Sequence, residues 1–190
     1  MNITLRKANA LQVSINDALK GIDFESTVKV NEFQEPEDEI ARASATIKTN
    51  IMRRDALMTT LYEIRKSVSG ANTQVGIDTK LADVAHLEKE IQFYNGLATK
   101  TVRESEKVVA GKLDKIRNGK EDSRRSIYGY NDTVDTSVFT KEDLDTFRKL
   151  VAKSKKDKQK LQDEILELNV QTQIVVSVQA EAILQTEGLL

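Results

Sequence analysis

Two clusters of basic residues are the strongest indications of a binding surface in the sequence. In the first, between residues 148 and 160, seven basic residues stand against one acidic residue, Asp157. The basic members are Arg148, Lys149, Lys153, Lys155, Lys156, Lys158 and Lys160. Solvated helix faces usually alternate in sign, so this excess favours an anionic partner such as nucleic-acid phosphates. The alternative is that the lysines pair with the acidic run 35–39 of another helix.

The second cluster combines basic residues with tyrosines. Its basic members are Lys112, Lys115, Arg117, Lys120, Arg124 and Arg125, and Tyr128 and Tyr130 follow directly. Basic side chains neutralise phosphates, and tyrosine rings offer flat faces on which unpaired bases stack. Because a duplex hides its base faces, the combination favours single-stranded DNA over duplex DNA. The alternative is that Tyr128 and Tyr130 pack a β-hairpin onto the helices.

The sequence contains no recognisable catalytic or metal-binding constellation. His86 is the only histidine, and its spacing supplies no convergent partners for a general base or a metal site, so we interpret it as a partly exposed helix residue. The carboxylates of 35–39 suit a helix N-terminus better than a cation site. Phosphate loops, nucleophile elbows, zinc spacings and dinucleotide fingerprints are absent from the sequence. We therefore expect a protein that is not an enzyme and needs no cofactor.

The composition predicts long helices to position these residues. Charged residues make up 31% of the chain and aromatic residues 5%, and Pro36 is the only proline. Narrow apolar stripes in charged sequence that lacks helix breakers are typical of paired amphipathic helices. The sequence has no cysteine, which excludes disulfides and thiolate metal sites and is compatible with a reducing cytosol.

Apolar periodicity and capping residues predict helices near 4–20, 36–68, 78–97 and 140–176. Thr4 and Gly21 bound the first helix, and Pro36 suits the first turn of the second. A loop at 69–72 separates the second helix from the third, for which Asp78-Thr79 supplies the cap. The last helix begins at a near capping box, Thr140-Lys141-Glu142-Asp143.

A β-branched, alternating segment predicts a short strand at 27–33, and turn signals predict a β-hairpin that spans roughly 101–138. The weaker apolar pattern from Lys100 to Arg117 fits either a helix or a pair of strands. The fold class is therefore mainly α, an antiparallel helical bundle or coiled coil with a small β-hairpin element. At 190 residues the chain fits one helical domain over 1–176, followed by a tail, 177–190, that could be an interaction segment. Ser154 and Lys158 interrupt the last helix's apolar seam, and together with the apolar tail they favour a homo-oligomer.

The sequence also indicates a soluble, cytoplasmic protein. The residues after Met1 lack the apolar core of a signal peptide. The longest apolar cluster, Ile174 to Val178, is far shorter than the roughly 20 residues that cross a bilayer. We therefore expect no membrane partner.

The order of elements from about Leu5 to Val176 resembles an uncharacterised helical family of bacteria and phages that is sometimes labelled septicolysin-like. The residues that carry the resemblance are Ile47-Lys48-Thr49-Asn50 with Arg53, Asp55, Ala56 and Leu57, the segment Gly76 to Leu81, and Arg124-Arg125 leading through Thr133-Val134-Asp135. In size, helical pattern and basic-tyrosine segment, the chain also resembles early proteins of podoviruses that carry their own RNA polymerase. That group includes a small single-stranded-DNA-binding transcription cofactor. The resemblance implies single-stranded DNA and an RNA polymerase as partners, in the host cytoplasm.

Overall fold

A computed structural model describes residues 1–119 and 133–190. In this part of the chain the elements are β1 (Asn2–Thr4), α1 (Leu5–Lys20), α2 (Pro36–Val75), α3 (Ile77–Ala98), α4 (Glu106–Gly119), α5 (Lys141–Gln171), β2 (Gln173–Val175) and α6 (Val178–Thr186). The predicted class, mainly α with a small antiparallel β element, is confirmed.

The chain divides into two compact units. Unit 1 comprises Met1–Leu81 and Asp163–Leu190, and unit 2 comprises Ala82–Gln162. The boundary that the sequence predicts between 176 and 177 falls inside unit 1, between β2 and α6.

The β element of unit 1 joins two segments that are far apart in the sequence. β1 and β2 pair antiparallel with Ile3 opposite Ile174, and both isoleucines are buried. The ladder continues beyond the strands, because the Leu5 N–H donates to the Thr172 carbonyl at 3.0 Å and the Val176 N–H donates to the Met1 carbonyl at 2.9 Å. Two strands of three residues are marginal alone, so their stability depends on the helices that follow them.

The strand predicted at 27–33 is wrong, and of the two alternatives for residues 100–117 the structure shows the helix. Residues 106–119 form α4, because Val109, Leu113 and Ile116 recur at helical spacing and are half-buried on one side. Residues 120–132 lie outside the described part of the chain. The segment 27–33 is irregular and exposed, since no neighbouring strand among the described residues offers it a hydrogen-bonding edge.

The core of unit 1 forms between α1, α2 and α6. Thr4 caps α1 as predicted, accepting a hydrogen bond from the Lys7 N–H at 3.2 Å, and α1 ends at Gly21. The predicted apolar face of α1 is buried together with side chains of the other two helices. This core includes Leu5, Ala8, Leu11 and Ile15 of α1, Leu57, Leu61, Ile64 and Val68 of α2, and Ala180 and Leu184 of α6.

Helix α2 is longer than predicted and only half of its predicted face is buried. Pro36 is its first residue as expected, but the predicted loop at 69–72 is helical, and α2 ends at Gly76, whose φ is 75°. The helix continues through Gly70, although a glycine within a helix costs about 1 kcal/mol, because the neighbouring Ala71 packs against the core. At the other end, the face that begins at Ile40 is largely uncovered, and burial starts at Leu57.

The segments that follow α2 and α5 also differ from the prediction. α3 begins at the buried Ile77, and Asp78 accepts a hydrogen bond from the Thr73 hydroxyl at 3.1 Å instead of capping the helix. α5 ends at Gln171 because the next residues enter β2. The capping box is confirmed, since the Asp143 N–H donates to Thr140 Oγ1 at 3.1 Å and the Thr140 N–H donates to the Asp143 carboxylate at 2.8 Å.

The predicted tail is helix α6, which packs on its own chain. Ser177 caps α6, and the Ser177 N–H and hydroxyl both donate to the Glu63 carboxylate of α2 at 3.1 Å. At the other end of α6, Arg53 Nε donates to the Glu187 carboxylate at 2.7 Å. The buried side chains of α6 are thus covered by this chain, and an interaction role for its exposed side stays a prediction.

Replacing Leu184 with alanine should lower the free energy of unfolding by about 2–5 kcal/mol, because this fully buried leucine leaves a cavity. The matched control is Val178→Ala on the same helix, where the side chain is 81% exposed and the cost should stay within about 0.5 kcal/mol. Urea unfolding of both variants measures the difference. Equal effects at the two positions would contradict the docking of α6 on the core.

Glu187→Gln should destabilise the protein more at neutral than at acidic pH. The hydrogen bond from Arg53 lowers the pKa of Glu187 below its ordinary value. The pair therefore stabilises the fold above the unfolded-state pKa of about 4.3, and this contribution is lost as the pH falls through the lower folded-state value. Urea midpoints of wild type and variant should converge as the pH falls below about 4.3, whereas Glu32→Gln, an exposed control, should show no such convergence.

Candidate nucleic-acid interface

Four lysines of α5 lie on one face of the helix. Lys149, Lys153, Lys156 and Lys160 recur at spacings of four, three and four residues, which brings them to one side of an α-helix. All four are exposed. With a rise of 1.5 Å per residue, the row is about 16 Å long. We call these four residues the lysine stripe.

The opposite face of α5 holds the helix in unit 2. Leu144, Val151 and Ser154 are buried there, and the Phe147 ring stacks on Tyr94 of α3 at 6.1 Å between centroids. Ser154, predicted to interrupt the seam, is small enough to be buried within it. Because this side is packed, the lysine stripe faces solvent within unit 2.

The remaining basic residues of the first cluster lie elsewhere on α5. Lys158 faces α3, where its Nζ pairs with Glu88 Oε1 at 2.8 Å, and this hydrogen bond lowers the pKa of Glu88. Arg148 pairs with Asp145 at 2.7 Å. Lys155 is exposed on the same side as Arg148, seven residues further on. Lys158 and Arg148 are thus compensated within unit 2.

The positive charge of the lysine stripe is largely uncompensated. Among the described residues, no acidic side chain forms an ion pair with Lys149, Lys153 or Lys156. The wider charge distribution reinforces this feature: unit 2 carries 18 Lys and Arg against 14 Asp and Glu, whereas unit 1 carries 11 against 16. The whole-chain charge of −1 hides a net +4 on unit 2, a local excess that attracts anions over distances near the Debye length.

The central residues of the second basic cluster lie outside the described part of the chain. These are Lys120, Arg124, Arg125, Tyr128 and Tyr130. Of the cluster's residues in α4, Lys112 pairs with Glu104 at 2.5 Å and Arg117 pairs with Asp114 at 3.1 Å. The stacking role that the sequence assigns to the two tyrosines stays a prediction.

Sequence reasoning missed one aromatic side chain in unit 2. Phe93 of α3 is 61% exposed and contacts Tyr94 edge-to-face at 5.2 Å. Phe93 lies outside the apolar stripe of α3, which includes Tyr94. An aromatic residue that departs from the helical period is the signal by which the sequence could have identified Phe93. An exposed phenylalanine offers a nucleic-acid base the same kind of flat face as a tyrosine.

The positions considered for catalysis or metal binding show no converging groups. His86 is exposed on α3, and Glu39 at the start of α2 pairs with Arg42 at 3.0 Å. Over residues 1–119 and 133–190, no group of three or more His, Asp and Glu side chains could hold a metal ion.

Hydropathy and relationships to other proteins complete the description. Within the described residues, no helix combines the length and the apolar character that a membrane span requires. Comparison of the chain with protein-family models, curated proteins and solved structures found no match.

Proposed function

We propose that this chain binds single-stranded nucleic acid, DNA in particular, through the lysine stripe of α5. The observation that carries the proposal is the row of exposed lysines on a solvent-facing side of unit 2, of which Lys149, Lys153 and Lys156 have no acidic partner among the described residues. Each lysine that neutralises a phosphate releases a condensed counterion, and this release drives binding.

The shape of the stripe suits a flexible strand. The lysines follow a nearly straight line of about 16 Å, so a single strand can lay successive phosphates along it, whereas duplex phosphates follow a fixed helical path. Bases that are not paired can then stack on aromatic rings, for which Phe93 and the sequence-predicted Tyr128 and Tyr130 are the candidates.

The resemblance to podoviral early proteins extends the proposal to a role. A protein that coats or recruits a single strand would assist transcription or replication in the cytoplasm, with an RNA polymerase as its protein partner. Self-association would place two or more lysine stripes on one strand and raise the affinity through effective concentration. No cofactor is required by this mechanism.

Reversing the charge of the stripe should abolish binding. The variant Lys149→Glu/Lys153→Glu/Lys156→Glu should bind a single-stranded DNA oligonucleotide at least about tenfold more weakly than wild type in fluorescence anisotropy. The matched control changes the same number of charges in unit 1, through Arg6→Glu/Lys7→Glu/Lys29→Glu, and should bind within about threefold of wild type.

The salt dependence provides a second readout of the same experiment. Three phosphates of a single strand at about −0.7 each predict a slope of log K against log salt near −2 for the stripe, and the triple variant should lose this part of the slope. Equal losses in the stripe variant and the control would show that net charge, rather than the stripe, determines binding.

Removing the aromatic rings should reduce the preference for single strands. Phe93→Ala and Tyr128→Ala/Tyr130→Ala should each weaken single-strand binding while leaving duplex binding nearly unchanged, at about 1–3 kcal/mol per stacked base. Anisotropy with single-stranded and duplex oligonucleotides of equal length measures this difference. Wild-type protein that binds both forms equally would contradict a preference for single strands.

A second candidate function is a helical protein-interaction module. The observation that favours it is the uncovered apolar side of α2, which includes Ile40 and Ile51. In that function the lysine stripe would contact an acidic protein surface. An absence of nucleic-acid binding even at low salt would favour this candidate over the first.

A further inference from the structure

One side of α2 presents a row of apolar side chains to solvent. Its members are Ile40, Ile51, Met58 and Tyr62, which are between 39% and 55% exposed. At 100° per residue, Ile40, Ile51, Met58 and Tyr62 fall within a narrow arc of the helix. The row extends over about 33 Å of helix length. We call this side the α2 arc.

The other sides of α2 are already occupied within unit 1. Along the first half of the helix, the segment after α1 is attached by the Asn50 side chain, which donates to the Asp23 carbonyl at 2.8 Å, and by Arg54, which lies over the Phe24 ring at 5.2 Å. Along the second half, α1 and α6 cover the buried face. The α2 arc is the side that remains.

The α2 arc also carries charges in a particular order. Glu37 lies near its start, Lys48 and Asp55 near its middle, and Lys66 near its end, all on one flank of the row. Among the described residues, none of these four side chains takes part in an ion pair. Uncompensated charges of both signs beside an apolar row are typical of an interface whose partner supplies the opposite charges.

We infer that the α2 arc binds the α2 arc of a second copy of this chain, with the two helices antiparallel about a twofold axis between Ile51 and Met52. This axis brings Lys48 of one copy opposite Asp55 of the other. It also brings Glu37 opposite Lys66. Each of these pairs has opposite signs and occurs twice, because a twofold interface is isologous.

The apolar side chains fit the same register. The axis puts Ile51 against Ile51 of the second copy at the centre of the interface. Towards its ends, it places Tyr62 at nearly the same height as Ile40 of the second copy, so that an aromatic and an aliphatic side chain of the row meet. No pair of like charges on the arc faces each other in this register. Parallel pairing would instead bring each charged position against its own copy, acid against acid and base against base, which is unfavourable.

This inference does not depend on nucleic-acid binding, because the α2 arc is in unit 1 and the lysine stripe is in unit 2. A variant of one surface should leave the other function intact. The dimer would nevertheless strengthen the proposed function, since two copies present two stripes.

Charge swapping tests the register in the full-length chain. Lys48→Asp alone and Asp55→Lys alone each put like charges opposite one another at the centre, so each should raise the dimer dissociation constant at least about tenfold in sedimentation velocity. The double variant Lys48→Asp/Asp55→Lys restores both pairs and should return to within about threefold of wild type. Circular dichroism and urea unfolding of each variant check that its fold is intact.

Cross-linking tests the direction of the helices, and the absence of cysteine from the chain makes it specific. The variant Ile51→Cys carries its thiol beside the axis and should form a disulfide between copies under mild oxidation, because the two thiols would lie within bonding distance. The variant Ile40→Cys should not, since an antiparallel pair separates the two copies of this position by about 35 Å.

Three results would overturn the inference. Wild-type protein that remains monomeric up to roughly 100 µM would show that no second copy occupies the arc. Disulfide formation in both the Ile51→Cys and the Ile40→Cys variants would indicate parallel helices. A double charge-swap variant that stays as weak as the single variants would exclude this register.

Discussion

The pairing of β1 with β2 is the interaction on which the rest of unit 1 depends. α1 begins at the residue after β1, and Thr4 is both the last residue of the strand and the helix cap. β2 leads through Val176 and Ser177 into α6. The register of Ile3 with Ile174 therefore sets where α1 and α6 both meet α2, and the burial of these helices in turn supports a sheet too small to be stable alone.

The parts of the fold that could be predicted from the sequence are those determined by neighbours in the chain. Thr4, Pro36 and the Thr140–Asp143 capping box act within one helical turn, so the sequence alone located the start of α1, α2 and α5. β1 and β2 could not be found in this way, because each has only three residues and forms only by pairing with the other strand, which is distant in the sequence. For a related reason the valines near 108 left helix and strand open, because β-branched residues favour strands only where a neighbouring strand exists.

The sequence predicted which residues make up the candidate interface, but it could not predict the direction in which each side chain faces. A count of charges identified the basic cluster of α5, but it could not separate Lys156 from Lys158. Two residues along a helix turn the side chain by about 200°, and only the position of Glu88 on α3 shows that Lys158 is the one compensated. In the same way, periodicity identified the buried positions of α2 from Leu57 onward, but it assigned Ile40 and Ile51 to the same face, whereas both are exposed on another side of the helix.

The order of the units along the chain has a consequence for synthesis on the ribosome. Unit 2 is continuous in sequence and is inserted between the two parts of unit 1. When residue 81 has left the ribosome, α1 and α2 still lack β2 and α6, and at 5–20 residues per second the missing part takes roughly 5–20 s to arrive. During that interval the face formed by Leu5, Leu11 and Ile15 has no complete cover, so apolar surface that is buried in the finished protein is exposed to non-native contacts.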